Sequence, residues 1–376
     1  MKILMQTTYY YPHVSGLTIF FQRLAESIAR QEHEVTVVTS QHDQKLPRTE
    51  KINGVSVLRT QILFRINKGV FLPKILFDSF GYLRKADVLH VNLPSLEALP
   101  LVIAARLLGK KVVTTYNCDL VLPEFFLSKI FDFLIDIVHF LTLLFSSKIT
   151  CFTSDFCENS RVLKYFKNQV IQIYPQTSLN TGIKKFSDLA KLKRDTNSPI
   201  IGMATRVAAD KGIDDLVNAL ILLRKKFPEI ILVIAGNKNA LGEEKYLNYL
   251  EKLIKLKKIP VYFLGNLTPE KLRYFYRNID ALVIASISRN ENFSIVQVEA
   301  MLEGTPIVVT NLPGLRVPVK ITKMGEIAQA ANPDDLAEKI LTVITNKKKY
   351  VKPLNKIKKI FDDKEVVEKY LKIYSH

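Results

Sequence analysis

Two α/β domains built on parallel sheets are predicted by three features of the chain. Its 376 residues exceed what one hydrophobic core usually holds. Apolar runs of strand length alternate with helical patterns in both halves, the order that gives parallel sheets joined by right-handed crossovers. Between the halves, Thr177 to Ser198 is rich in Lys, Asp, Ser and Thr and has little apolar periodicity. The expected organisation is therefore a Rossmann-like domain over 1–178, a linker over 179–198, a second Rossmann-like domain over 199–355 and a terminal helical segment over 356–376.

Strands are expected in the first half at 2–6, 35–39, 55–59, 87–91, 111–115 and 149–153. The second half offers 199–204, 230–235, 261–264, 281–285 and 306–310. The opening Met1-Lys2-Ile3-Leu4-Met5-Gln6 reads as a buried first strand rather than a signal peptide. Ile357 to Tyr374 reads as a basic terminal helix. With 48% hydrophobic residues and no low-complexity tract the chain is globular. Its three cysteines, Cys118, Cys151 and Cys157, lack metal-ligand spacing and fit a reducing cytoplasm.

Two stretches carry the chemistry. In the run from Glu291 to Pro306, Ser294 with Gln297 reads as a capping box, and Ile295, Val298, Met301 and Leu302 form one apolar helical face. Gly304 and Pro306 then end the helix. Glu291 is thereby placed on the loop entering the helix and Glu299 on its second turn. A helix start attracts phosphate, and flanking carboxylates suit sugar or ribose hydroxyls; solvated glutamates on an ordinary capped helix are the plainer alternative. Upstream, Ile200 to Ile213 contains Arg206 and Lys211 on a strand-to-helix crossover, at the edge where α/β sheets bind ligands. A guanidinium fork and an ammonium together suit a diphosphate. Standing alone, the pair would read as solvated surface cations.

The pair does not stand alone. The succession Arg206…Lys211-Gly212, Leu232-Val233-Ile234-Ala235-Gly236, Phe263-Leu264-Gly265-Asn266 and Glu291 to Glu299 with Gly304-Thr305-Pro306 resembles the carboxyl half of family 4 retaining glycosyltransferases of the GT-B fold, the glycosyltransferase group 1. Tyr11-Pro12-His13-Val14-Ser15-Gly16, Gln31 to Val35, Asp87 to Val91 and Val113 to Asp119 resemble the amino half more loosely. The resemblance spans roughly residues 1 to 330. It implies two Rossmann-like domains whose parallel sheets face a central cleft, an acceptor-binding first domain, a donor-binding second domain, and a terminal helix returning to the first.

The activity so implied is transfer of a sugar from a UDP- or GDP-linked donor to a hydroxyl of a lipid-linked or glycan acceptor, in cell-envelope glycoconjugate synthesis. No cofactor and no metal are expected. Arg206, Lys211 and Glu291 would be catalytic, the two cations neutralising the leaving diphosphate and Glu291 contacting the transferred sugar. Gly16, Asn292, Phe293, Ser294, Ile295 and Glu299 would bind the donor, with Glu299 on the ribose. His90, Asn117 and Asp119 are acceptor candidates near strand ends. In the family's retaining mechanism the leaving phosphate takes the acceptor's proton, so no protein nucleophile is required.

Other classes fit less well. A nicotinamide oxidoreductase would need a Gly-x-Gly-x-x-Gly turn and an acidic strand tip near Ser40, and neither is present. Ser15, Asn117, Asn292 and Ser294 depart from residues common in the family, which leaves a catalytically inactive nucleotide-sugar-binding or interaction protein as the alternative. Turnover in a donor panel separates the two. The net charge of +18 suggests either nucleic acid or an anionic membrane. No nucleic-acid module is recognisable, whereas 120–147 is dominantly apolar yet too interrupted to span a bilayer, and 62–77 has aromatic and basic residues suited to an interface. Peripheral contact with the inner face of a membrane is the expectation; buried core helices are the competing reading.

Overall fold

The computed structural model describes residues 1–66, 69–122, 128–177, 179, 181–195 and 198–375. They divide into two compact units, one of Met1–Gln176 with the chain from Asp363 onward, the other of Thr177–Asp362.

The first unit runs β1 (Lys2–Gln6), α1 (Gly16–Ala29), β2 (Glu34–Ser40), β3 (Thr49–Ile52), β4 (Val55–Thr60), β5 (Phe64–Ile66), β6 (Gly69–Phe71), α2 (Ile75–Lys85), β7 (Val88–Leu93), α3 (Ala98–Leu107), β8 (Lys111–Tyr116), α4 (Ser128–Leu144), β9 (Lys148–Cys151), α5 (Ser154–Asn159) and β10 (Val170–Gln172). Its eight-stranded sheet has the order β10-β9-β8-β7-β1-β2-β4-β3, parallel except where β3 pairs antiparallel with β4 at the edge. Every residue of β7 is buried, as expected of a central parallel strand covered on both faces.

The second unit runs α6 (Ser187–Asp195), β11 (Ile200–Ala204), α7 (Ile213–Leu223), β12 (Ile231–Ala235), α8 (Glu244–Lys257), β13 (Val261–Gly265), α9 (Pro269–Asn278), β14 (Ala281–Ile284), α10 (Ile295–Leu302), β15 (Ile307–Thr310), α11 (Val317–Thr322), β16 (Gly325–Ala328), α12 (Pro333–Thr345), α13 (Lys347–Tyr350) and α14 (Leu354–Ile360). Its six strands follow the order β13-β12-β11-β14-β15-β16, all parallel. A core of Val, Ile, Leu and Ala from β11, β12, β14 and the inner faces of α7 and α12 fills one side of the sheet.

The expected strands all form within two residues of their ends. The short strands β3, β5, β6, β10 and β16 were not among them. Helix α6 forms inside the stretch expected to be a linker, and the terminal helical segment is two helices. α14 packs on α10 and its Ile357 is buried, and Phe361 stands edge-on to Phe293 at 6.1 Å. The chain then breaks, and α15 (Asp363–Ser375) packs on α1 and β8 of the first unit. Cys118, Cys151 and Cys157 are buried free thiols.

Candidate active site

In the second unit, the strands following β11 in the chain lie on its one side as β12 and β13, and on its other as β14, β15 and β16. The crevice between the carboxyl ends of β11 and β14 is therefore the topological switch point, where open α/β sheets bind ligands. Both stretches singled out in the sequence open onto it. Arg206 and Lys211 follow β11, while Glu291 and α10 follow β14.

Glycine brings the two loops together. Gly212 has φ +59°, and a Cβ there would lie 2.2 Å from the carbonyl oxygen of Ala285 just past β14. The Ile287 amide donates to the Asp210 carbonyl at 3.1 Å across the same junction. On the other side Gly236, with φ +146°, approaches so closely that a Cβ would meet the Thr205 carbonyl oxygen at 2.1 Å.

The side chains converge into an ion-pair network. Lys211 Nζ donates to Glu291 Oε2 at 2.6 Å and lies 3.2 Å from Asp210 Oδ2. Arg206 Nη2 donates to both Asp210 oxygens, at 3.0 and 3.1 Å, and Arg206 Nη1 lies 3.5 Å from Glu243 Oε1. The Lys211 side chain is only 12% exposed. Burial disfavours its charge, but Glu291 and Asp210 outweigh that and hold the ammonium above its ordinary pKa, so it stays protonated at neutral pH. Two cations meet three carboxylates here, a formal balance of −1. The network fixes the cations in place. Asp210 adjoins Lys211 in the sequence and could have been read as its counter-ion; Glu243, more than thirty positions from either cation, carries no such signal.

At the entrance to α10 the capping box does not form. Ser294 has φ +57° and ψ +91° rather than the extended backbone of a capping residue, so its side chain makes no cap bond. Gln297 Nε2 instead donates to the carbonyls of Phe293 and Leu315. Phe293 and Ile295 have buried side chains. Asn292 is different. Its side chain is 4% exposed, yet neither amide atom has a partner among the described residues. Unpaired buried amide atoms are costly, and they stand one residue from Glu291. Glu299 is also buried and accepts a hydrogen bond from Tyr276 Oη at 3.0 Å. Gly304, with φ +82°, terminates the helix as expected.

In the first unit, Gly16 opens α1 and a Cβ there would meet nothing within 4 Å. Ser15 is the N-cap, its Oγ accepting from the Thr18 amide at 3.2 Å. The acceptor candidates do not stand at an open edge. His90 lies in the core beneath α15, one ring nitrogen 2.6 Å from Tyr374 Oη and the other 2.8 Å from Thr115 Oγ1. A central strand covered on both faces has no exposed tip to offer. Asn117 donates to Asn92 Oδ1 and the Leu93 carbonyl, each at 2.6 Å. Asp119 accepts from Tyr116 Oη, Ser160 Oγ and the Arg161 amide at 2.9, 2.6 and 3.0 Å. These three side chains bind their own unit together.

Comparison with known proteins gives the family and the fold. The model of glycosyl transferases group 1 matches residues 184–360, and that of the glycosyl transferase 4-like domain matches 15–136. The chain belongs to the group 1 glycosyltransferases of family 4. A glycosyltransferase of Methanocaldococcus jannaschii is 29% identical over 374 residues, covering 90% of this chain and 87% of the relative. A D-inositol 3-phosphate glycosyltransferase of Corynebacterium urealyticum is 32% identical over a shorter stretch, 38% of this chain and 34% of the relative. Among solved structures, Anabaena HepE in complex with UDP-glucose superposes with a TM-score of 0.77 at 19% identity, covering 100% and 99% of the two chains. Sucrose-phosphate synthase from Thermosynechococcus elongatus gives 0.76 at 18%, covering 99% and 98%. The two Rossmann-like units are thus those of a GT-B fold, and the switch-point crevice of the second lies within the group 1 region.

Proposed function

We propose that this glycosyltransferase takes a sugar from a nucleotide-diphosphate donor held on the second unit and transfers it, with retention of configuration and without metal, to a hydroxyl of a lipid-linked or glycan acceptor. The observation that carries the reading is the crevice between β11 and β14, where Arg206 and Lys211 face Glu291, the unpaired Asn292 amide and the start of α10. Helix amides and two cations supply the counter-charge for a departing diphosphate. Glu291 exchanges its Lys211 contact for hydroxyls of the transferred sugar, and Glu299 takes the ribose. The leaving phosphate accepts the acceptor's proton, so no protein base is needed. The UDP-glucose complex of HepE, a GT-B neighbour, makes UDP-sugars the first donors to test.

The test is a panel of UDP- and GDP-sugars, read first by thermal shift and then by turnover. A shift with at least one donor and none with NAD is expected; absence of any shift or turnover across the panel rejects the reading. Chelator should leave activity unchanged, since on this reading Arg206, Lys211 and the helix amides take the place of Mg²⁺ as counter-charge once the donor displaces their carboxylate partners. Activity lost in EDTA and recovered with Mg²⁺ would overturn that part. Glu299→Ala should bind the free nucleoside diphosphate roughly tenfold or more weakly, the loss of about one hydrogen bond to a charged group. Equal affinities by calorimetry would remove Glu299 from the ribose.

A further inference from the structure

Helix α4 is inverted relative to an ordinary surface helix, which turns its apolar stripe to the core and its charges to water. Its acidic side chains face inward. Asp136 Oδ1 accepts from Arg161 Nη2 at 2.9 Å, and Asp132 Oδ2 lies 3.5 Å from Arg161 Nη1. His139 and Thr142 are fully buried. Outward stand Ile130, Phe133, Leu134, Ile137, Phe140 and Leu144, all exposed, with Phe133 at 64%. Apart from the adjacent Phe133 and Leu134, these positions recur every three or four residues, so they form one continuous stripe along the helix. No helix among the described residues is long and apolar enough to cross a membrane. Phe125, Phe126 and Leu127, at the start of the apolar stretch seen in the sequence, lie outside the described residues.

The stripe continues onto a basic end. α3 packs beside α4 and finishes at Leu107, 83% exposed. Arg106 Nη1 donates to Ser147 Oγ just past α4, so Arg106, Lys110, Lys111 and Lys148 gather there around the starts of β8 and β9. Among the described residues none of the four has a carboxylate at ion-pair distance. Burial and the neighbouring Lys148 hold the Lys111 ammonium below its ordinary pKa.

We propose that the outer face of α4, with the exposed end of α3, is a docking surface for an anionic lipid bilayer, the helix lying in the interface with the cations over the headgroups. This deepens the lipid-linked acceptor reading above by assigning the membrane to a particular face. A bilayer suits the stripe better than a protein does. A protein interface carries roughly one hydrogen bond per 100–200 Å², and the six outward side chains offer no donor or acceptor. An apolar face supplies one attraction and the basic end a second, and two such signals together hold a protein at a membrane where one alone binds only marginally.

The experiment is sedimentation of the full chain with vesicles of phosphatidylcholine alone or with phosphatidylglycerol at one third of the lipid. Wild type should sediment with the mixed vesicles at low salt, at least tenfold more strongly than with the neutral ones, and should be released as salt rises. The variant Phe133→Ser/Ile137→Ser should lose tenfold or more of that binding at unchanged melting temperature, because both side chains already face outward. Lys110→Glu/Lys111→Glu should abolish the preference for anionic lipid. Wild type remaining in the supernatant, or binding that survives both variants, overturns the proposal. A dimer that dissolves on Phe133→Ser/Ile137→Ser while vesicle binding is absent gives the stripe to a second copy instead. UDP titration of the same samples reports the donor site separately, so loss of one reading is distinguishable from loss of the other.

Discussion

Lys211→Ala and Arg206→Ala are each expected to lower turnover roughly a hundredfold or more, the cost of removing a preorganised charge that stabilises a leaving group. The network around them predicts a second effect that separates catalysis from folding. Without Lys211, Glu291 and Asp210 lose the ammonium that lies 2.6 and 3.2 Å from them. Asp210 keeps Arg206, but the partly buried Glu291 is left uncompensated at a cost of up to about 3–5 kcal/mol, so Lys211→Ala should also melt earlier than wild type. The double variant Lys211→Met/Glu291→Gln removes the stranded charge together with the cation. It should recover most of the melting temperature and none of the turnover. Recovery of both would make Lys211 a structural partner of Glu291 with no part in the reaction. Wild-type turnover by either Ala variant would remove the diphosphate role directly.

Much of that site was legible because its signals are local. A strand followed by Arg206…Lys211-Gly212, and another followed by Glu291 and a helix, are enough to put both stretches at the carboxyl edge of a parallel sheet. That β11 and β14 are neighbours flanking the switch point is a matter of strand order, which a sequence read alone does not supply. Glu243 was invisible for the same reason, since it reaches Arg206 from the loop preceding α8. Ser294 misled because the spelling of a capping box says nothing of backbone angle, and φ +57° points its side chain away from the amide it would cap. His90 misled because a strand tip is open only where no element covers it, and α15 returns over β7 from nearly three hundred positions away. The short strands β3, β5, β6, β10 and β16 span three or four residues each, too few for alternation to register. For α4 the hydropathy was plain but the facing was not. Arg161 and the Leu122 amide, which hold Asp132 and Asp136 inward, lie too far along the chain for the local pattern to show which side the phenylalanines take.

Acid is expected to destabilise the chain steeply between pH 6.5 and about pH 4. His90 and His139 are both fully buried, and burial holds each ring nitrogen's pKa down from 6.5 to about 3, with Arg161 adding to the effect at His139. Each therefore stays neutral in the folded chain while its unfolded counterpart takes up a proton. Stability from these groups is present above pH 6.5 and lost as pH falls toward the folded value. At pH 4.5 the loss is about 2.5 kcal/mol per histidine, and the two together approach the whole stability of a marginal protein. The environments differ in a way that makes His139 the better probe. His90 bonds two hydroxyls that can turn to accept from an imidazolium, whereas neither nitrogen of His139 has a partner among the described residues, and its ring meets Tyr116 edge-on at 5.9 Å. His139→Leu removes two unpaired polar atoms and one titration. The variant should melt no lower than wild type at pH 7 and distinctly higher at pH 4.5, with a shallower fall between them. Measurements in 0.5 M salt keep the general repulsion of a chain of net charge +18 from mimicking the effect. If wild type and His139→Leu lose stability with the same slope, His139 is not held neutral by burial, and the inward face of α4 carries a charge that Asp132 or Asp136 must share with Arg161.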